Sequence, residues 1–309
     1  MTANDSNFKD TLDTGQTMSA EAMRPGRLLA ERYRIEMRLG SGGMGEVWKA
    51  IDTELGDMPV AIKILPAILA QHERSITNLK REAAIALRLS HPNICRLYNF
   101  HTDGDLKFLV MEYLTGQTLE DVLEDTPNHR MSWEQFEPIV KQLGDAIDYA
   151  HSLDPPVLHL DIKPANIMIQ PDGNAKLLDF GIAREIRDSV TRVTGRDDTT
   201  GTIPYMAPEQ FRGDRVGPAS DVYSLCCVMY EAVTGECFVR PSGSLAWQVQ
   251  EKPFLPLEEL PASVNGILAA GMIKPVAERP ERFADLWRLA GACPDAASPP
   301  PPPQPLAPA

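Results

Sequence analysis

A chain of 309 residues can bury a large core, and that length suits two lobes or domains. A formal charge of −13 argues against nucleic acid or an anionic membrane as the main partner and leaves room for basic protein partners. Five cysteines, at 95, 226, 227, 237 and 293, form no C-x-x-C pair; they offer no zinc site and fit buried thiols in a reducing cytoplasm. No stretch reaches the ~18 apolar residues that a membrane span needs.

Residues 1–25 are rich in Ser, Thr, Asn and Asp, with no apolar run behind a basic start. They predict a disordered extension without a signal peptide. Structure is expected from near Leu29. Tyr33–Leu39 reads as a strand, Gly40-Ser41-Gly42-Gly43-Met44-Gly45 as a turn, and Val47-Trp48-Lys49 as a second strand. The pattern G-x-G-x-x-G-x-V invites a dinucleotide-binding reading, but that motif opens a helix after its glycines. Glu46–Ala50 is β-prone instead, so a hairpin closing over phosphates is predicted. Glycine there lets backbone amides approach phosphate oxygens with no side chain in the way.

Val60–Leu65 reads as a strand with one charge, Lys63, inside an apolar run, where it needs a partner. A helix over roughly Glu73–Leu89 follows, with Ile76, Leu79, Ala83, Ala86 and Leu87 at helical spacing. Glu82 adjoins that stripe, so a Lys63–Glu82 ion pair holding Lys63 on nucleotide α- and β-phosphates is expected. Ile94–Phe100 and Leu106–Glu112 read as two further strands. Tyr113-Leu114-Thr115-Gly116 reads as a connector whose backbone suits an adenine edge, with Met111 at the back of that pocket.

Ser132-Trp133-Glu134-Gln135 is a capping box. It opens a long helix with Phe136, Ile139, Val140, Leu143, Ile147 and Ala150 on one face, and His151 near its end is read as structural. Pro155-Pro156 stops any helix. Then comes His159-Leu160-Asp161-Ile162-Lys163-Pro164-Ala165-Asn166, with Asp179-Phe180-Gly181 thirteen residues past Asn166. Phosphoryl transfer needs a group to orient the attacking hydroxyl, cations to spread charge, and a frame to hold them in line. Asp161 can accept the hydroxyl proton, Lys163 can meet the transferred phosphate, and Asn166 and Asp179 can ligate a hard metal. His159 is read as a buried packing residue.

From Asp179 to Glu209 few apolar anchors occur. The stretch holds Ser189, Thr191, Thr194, Thr199, Thr200 and Thr202 together with Arg184, Arg187, Arg192 and Arg196, the composition of a loop that phosphorylation can order. Asp221 is expected to open a helix that Gly235 stops. Shorter helices follow near Leu245–Gln250 and Val264–Ile273, and Phe283-Leu286-Trp287-Ala290 marks the last one. Residues 297–309, with five consecutive prolines at 299–303, predict an extended tail.

Gly40/Gly42/Gly45/Val47, Val60-Ala61-Ile62-Lys63, Glu82, His159…Asn166, Asp179-Phe180-Gly181 and Ala207-Pro208-Glu209 stand in the order of the protein kinase signature set. The chain resembles bacterial eukaryotic-like serine/threonine protein kinases over about residues 30–295. The resemblance implies an α+β, bilobal fold: a disordered extension over 1–28, a kinase domain over 29–294 (small lobe 29–113, large lobe 117–294), and a Pro-rich tail over 295–309. It implies ATP and Mg²⁺, with Mn²⁺ as a substitute, in the cleft between lobes. The nucleotide would meet Leu39, Gly40, Ser41, Gly42, Gly43, Met44, Gly45, Val47, Ala61, Lys63, Met111, Glu112, Leu114 and Met168. Asp161 would be the base, assisted by Lys163; Glu82 would brace Lys63; Asn166 and Asp179 would bind the metal. Thr202 would hydrogen-bond near Asp161 and Lys163, Glu209 would pair with Arg279, and Asp221 would brace the catalytic loop. Leu97, Ala86, Phe180 and His159 would form a packing column.

The implied activity is γ-phosphate transfer from ATP to Ser/Thr of protein substrates in the cytoplasm, with autophosphorylation among Thr191, Thr194, Thr199 and Thr200 through self-association. No nucleic-acid partner is implied. Three departures stand out: Leu160 where relatives carry Arg, Ala86 small for the column, and Cys226 where Gly is common. The first puts phosphorylation-dependent activation in question. A nucleotide-binding scaffold of the pseudokinase type is the rival reading, set against intact Lys63, Asp161, Asn166 and Asp179.

Overall fold

Alternating apolar residues in the first third of the chain build a six-stranded antiparallel sheet, in a computed structural model that describes residues 23–42, 45–70, 72–180, 186, 189, 201–240 and 242–292. The strands are β1 (Leu28–Leu29), β2 (Tyr33–Gly42), β3 (Gly45–Asp52), β4 (Met58–Ile64), β5 (Leu97–Asp103) and β6 (Leu106–Glu112), in the order β1-β2-β3-β4-β6-β5. Two helices, α1 (Ala67–Ala70) and α2 (Glu73–Ala86), interrupt them. The period of two sorts the side chains. Tyr33, Ile35, Trp48, Ala50, Val60, Ile62, Phe108 and Val110 pack on one face. The register places Val47 opposite Lys63 and Ala61 opposite Met111, so these four share the other face.

The chain divides into two compact units. The first holds this sheet and residues 182–198; the second holds 91–94, 115–181 and 199 onward. The second unit is helical apart from a small sheet of β7 (Gln117–Thr118), β8 (Ile167–Ile169) and β9 (Ala175–Leu177). Its helices are α3 (Leu119–Asp125), α4 (Trp133–His151), α5 (Pro208–Arg212), α6 (Pro218–Thr234), α7 (Leu245–Gln250), α8 (Ala262–Gly271) and α9 (Phe283–Ala292). The capping box of α4 forms as read: Ser132 Oγ accepts from Gln135 N, and Gln135 Oε1 accepts from Ser132 N. Gly235 closes α6 in the left-handed region at φ 79°.

Four sequence expectations change. Ile94 does not join β5: it forms a parallel bridge to Leu177, because Asn93 ties its turn to the second unit through Gln142 Oε1, Asn174 Oδ1 and the Ala175 carbonyl. Asp221 does not open α6, which starts at Pro218, a residue suited to a first helical position. Cys226 acquires a physical reason. It is fully buried and faces Gly271 of α8, where a Cβ would run into its sulfur. The small residue sits on the partner helix instead. Residues 23–28, expected to be part of a disordered extension, are instead structured: Met23 is buried in the core cluster of the sheet, Gly26 N donates to the Ile35 carbonyl, and Leu28 lies in β1. Residues 1–22, the Pro-rich tail, Gly43, Met44, Gly181, Cys293 and the loop threonines from 191 to 200 lie outside the described residues.

Candidate active site

The stretch from His159 to Asn166 is held from beneath by one carboxylate. Asp221 is fully buried on α6 and accepts from His159 N (2.8 Å) and Leu160 N (2.7 Å). His151 Nε2 lies 2.8 Å from the same carboxylate. Burial pushes the Asp221 carboxyl up, but the hydrogen bond from His151 and the nearby His159 outweigh it and hold it below its ordinary value. The bond at Leu160 N holds an unusual backbone: Leu160 sits at φ 60°, a region that non-glycine residues seldom occupy, and Asp179 sits there too at φ 57°. Gln210, just past Ala207-Pro208-Glu209, donates to the Leu160 carbonyl at 3.0 Å.

His159 is fully buried, and its hydrogen bonds exclude it as a base. Nδ1 accepts from Asp161 N (3.3 Å) and Nε2 faces the Leu178 carbonyl (2.8 Å), which fixes the tautomer with its proton on Nε2. Its ring meets Phe180 edge-on at 4.6 Å. In the other unit, Ala86 and Leu97 share one buried cluster.

Asp161 is 1% exposed, and both carboxylate oxygens are engaged. Oδ1 accepts from Thr202 Oγ1 at 3.0 Å, and Oδ2 accepts from Asn166 Nδ2 at 2.9 Å. Lys163 Nζ stands 3.3 Å from Oδ2 and donates to Thr202 Oγ1 at 3.1 Å. Asn166 Nδ2 also donates to the Asp161 carbonyl at 2.8 Å. With its NH₂ turned to Asp161, the amide presents its carbonyl oxygen elsewhere. That suits a hard cation held by few protein oxygens plus substrate phosphates. Asp179, nearby in sequence, adds a carboxylate. Among the described residues no group of three or more His, Cys, Asp or Glu forms a metal cage, and a magnesium shared with phosphates needs none.

The nucleotide-facing candidates lie in the other unit, apart from Met168 on β8. The β2–β3 hairpin pairs Gly40 with Val47, Ser41 with Glu46 and Gly42 with Gly45. Gly45 stands at φ 113°, and a Cβ there would run into the Ile64 carbonyl oxygen. Leu39 is exposed at the base of the hairpin. Lys63, 5% exposed on β4, and Glu82, half-buried on α2, both have polar or charged partners. Met111 packs against the cluster formed by Leu79, Ala83, Ala86 and Leu97. Glu112, one residue on, is tied to the strand before it: its N–H donates to the Arg96 carbonyl (2.8 Å) and its side chain accepts from Arg96 N (3.2 Å). Leu114 is half-buried after it.

Below the catalytic stretch, Arg279 Nη1 meets Glu209 Oε1 at 2.8 Å with both side chains at most 1% exposed. Ser220 Oγ adds a 2.7 Å bond to the carboxylate, and Arg279 also reaches the carbonyls of Ala219, Ile273 and Lys274. A buried pair with every donor satisfied anchors the chain around Glu209 to the large unit. Sequence reasoning missed the bonds of Gln210 and His151, and that of Tyr205 to Glu231 (2.7 Å). Each joins residues far apart in the chain and carries no local signature.

The large unit thus holds a buried acid flanked by a lysine, an amide and a threonine, and the small unit holds a glycine hairpin. A sequence model of the family described as protein kinase domain matches residues 33–256. The chain is 41% identical over 261 residues to the serine/threonine-protein kinase PknB of Mycobacterium leprae, covering 82% of this chain and 41% of that one. It is 36% identical over 299 residues to PknA of Mycobacterium tuberculosis, covering 93% and 68%. Among solved structures, the PknI kinase domain of Mycobacterium tuberculosis aligns with a TM-score of 0.67 at 23% identity, over 87% of this chain and 98% of that one, a likeness of fold. The chain belongs to the protein kinase domain family. It spans 39% of the probable PknB of Bifidobacterium longum and 41% of the Mycobacterium leprae relative, well under the length of either.

Proposed function

We propose that this domain, over residues 29–294, transfers the γ-phosphate of ATP to serine and threonine hydroxyls of protein substrates. One observation carries the reading: the buried Asp161 carboxylate is held at both oxygens, by Thr202 on one side and Asn166 and Lys163 on the other. An acid fixed in this way can orient a substrate hydroxyl and take its proton late, as a loose transition state requires. Lys163 would follow the transferred phosphate. Lys63, braced by Glu82, would hold the α- and β-phosphates, with the glycine hairpin covering them. The adenine would lie against Leu39, Val47, Ala61, Met111 and Met168, hydrogen-bonded by the Glu112 carbonyl and Leu114 amide. Magnesium, which manganese can replace, would neutralise phosphate charge when held by the Asn166 oxygen and Asp179.

Among the described residues no helix is long and apolar enough to cross a membrane. A domain that uses ATP would act in the cytoplasm, and association of two copies would allow phosphorylation in trans. The test is transfer of labelled phosphate from ATP with Mg²⁺ to a general Ser/Thr acceptor protein, followed by phosphoamino-acid analysis. Phosphoserine or phosphothreonine is expected, and Lys63→Met should abolish most of it. Nucleotide binding with no transfer to any acceptor would overturn the reading in favour of a scaffold.

A further inference from the structure

The peptide unit that leads into Asp161 is held at both of its polar ends. Its N–H, from Asp161, donates to His159 Nδ1 at 3.3 Å. Its carbonyl, from Leu160, accepts from Gln210 Nε2 at 3.0 Å. The first partner lies two residues away and moves with the stretch it serves. The second comes from α5 and is itself fixed. Gln210 Oε1 accepts from Ala207 N at 3.2 Å, which assigns the orientation of the amide. Glu209, beside it in sequence, is anchored by the buried Arg279.

This tie falls where the backbone is least able to hold itself. Leu160 stands at φ 60°, a strained position for a residue with a Cβ. Its side chain is buried and apolar, so only its backbone can be gripped. Asp221 holds the N–H of Leu160, on the near side of the residue. On the far side, rotation of the Leu160–Asp161 peptide plane changes ψ of the first residue and φ of the second together. That rotation would relieve the strain and re-aim the Asp161 side chain. We propose that Gln210 is a positioning residue for phosphoryl transfer: by holding the Leu160 carbonyl it sets this plane and so aims the Asp161 carboxylate at the acceptor hydroxyl. It acts through Asp161 and not on the substrates. The proposal rests on the phosphotransferase reading above and adds the group that orients its acid. The rival role is local. A glutamine at the third position of α5 that accepts from the N-cap amide is half of a capping box.

Two substitutions in the full chain separate these roles. Gln210→Glu keeps an oxygen for Ala207 N but puts a second oxygen where Leu160 needs a donor. Gln210→Met, of similar length, removes both bonds. In steady-state transfer of labelled phosphate from ATP with Mg²⁺ to a general Ser/Thr acceptor protein, both should lower kcat about ten- to a hundredfold, the scale of a misaligned reacting group. KM for ATP should be unchanged, and the urea midpoint of Gln210→Glu should stay at that of the unsubstituted chain. In Gln210→Glu the amides of Leu160 and Asp161 should exchange with deuterium about fivefold faster or more, as the loss of one hydrogen bond allows, while those of α4 keep their rates. Full kcat in Gln210→Glu beside a loss in Gln210→Met would leave Gln210 a helix cap and overturn the proposal. A loss of kcat only in proportion to the unfolded fraction, or unaltered exchange at Leu160 and Asp161, would overturn it as well. If the unsubstituted chain labels no acceptor, the phosphotransferase reading itself has failed and the catalytic role falls with it, whereas the exchange comparison still decides whether Gln210 holds the peptide.

Discussion

The catalytic stretch and the glycine hairpin solve opposite problems. Around Asp161 the position is fixed by bonds that converge from distant parts of the chain: Asp221 from α6, Thr202, Gln210 from α5. At Gly40, Ser41, Gly42 and Gly45 it is set by strand pairing, with a backbone that excludes a side chain at Gly45. Under the proposed function, the first region would fix a charge where a proton moves, and the second would keep amides bare where phosphates approach. The difference teaches where substitutions should cost stability and where they should cost nucleotide affinity.

The largest stability effect is expected below the catalytic stretch. Arg279→Met leaves the buried Glu209 carboxylate without its partner, which should cost about 3–5 kcal/mol, read as a lowered midpoint in urea. Asp221→Ala strips the acceptor from two buried amides, at roughly 1–3 kcal/mol for each unsatisfied group. It should lower both the thermal midpoint and kcat, since Leu160 then loses the bond that holds its left-handed backbone. Gly45→Ala belongs to the other region. Its Cβ meets the Ile64 carbonyl oxygen at φ 113°, so about 1–3 kcal/mol of strain should appear chiefly as a raised KM for ATP. An equal loss of stability from Gly45→Ala and Asp221→Ala would erase the contrast.

The smallest effect is one of pH. Burial pushes Asp221 and Glu209 up, but His151 holds the first below its ordinary value and Arg279 the second. A carboxyl whose folded pKa is depressed stabilises the fold above its unfolded pKa, and that contribution is lost as pH falls through the folded value. Stability should therefore be flat near neutrality and decline below the ordinary carboxylate range. Arg279→Met should weaken the acid dependence, measured as urea midpoints across that range.

Much of this was legible in the sequence because the chemistry is local. The glycine hairpin announces itself through β-prone residues on both sides, and His159…Asn166 packs its acid, amine and amide into eight residues. The Arg279–Glu209 and Thr202–Asp161 contacts were reached by resemblance, and the geometry contains both. What stayed hidden depends on distant partners. Ile94 looks like strand, and only the bonds of Asn93 reveal that its turn belongs to the large unit. Asp221 reads locally as a helix cap; its bracing of residues 159–166 was reached by resemblance, and only the structure shows the two amides it accepts from. Cys226 makes sense only beside Gly271, and Ile186 looks like an isolated apolar residue in a polar loop until its cluster appears.

The central claim is that the pre-set Asp161 carboxylate serves phosphoryl transfer. Single-turnover transfer of labelled γ-phosphate to a Ser/Thr acceptor, at saturating ATP and Mg²⁺, tests it by comparing the unsubstituted chain with Asp161→Asn. The account predicts a rate about 10²–10⁴-fold lower in the variant, with ATP affinity unchanged. Equal rates from the two proteins would contradict it.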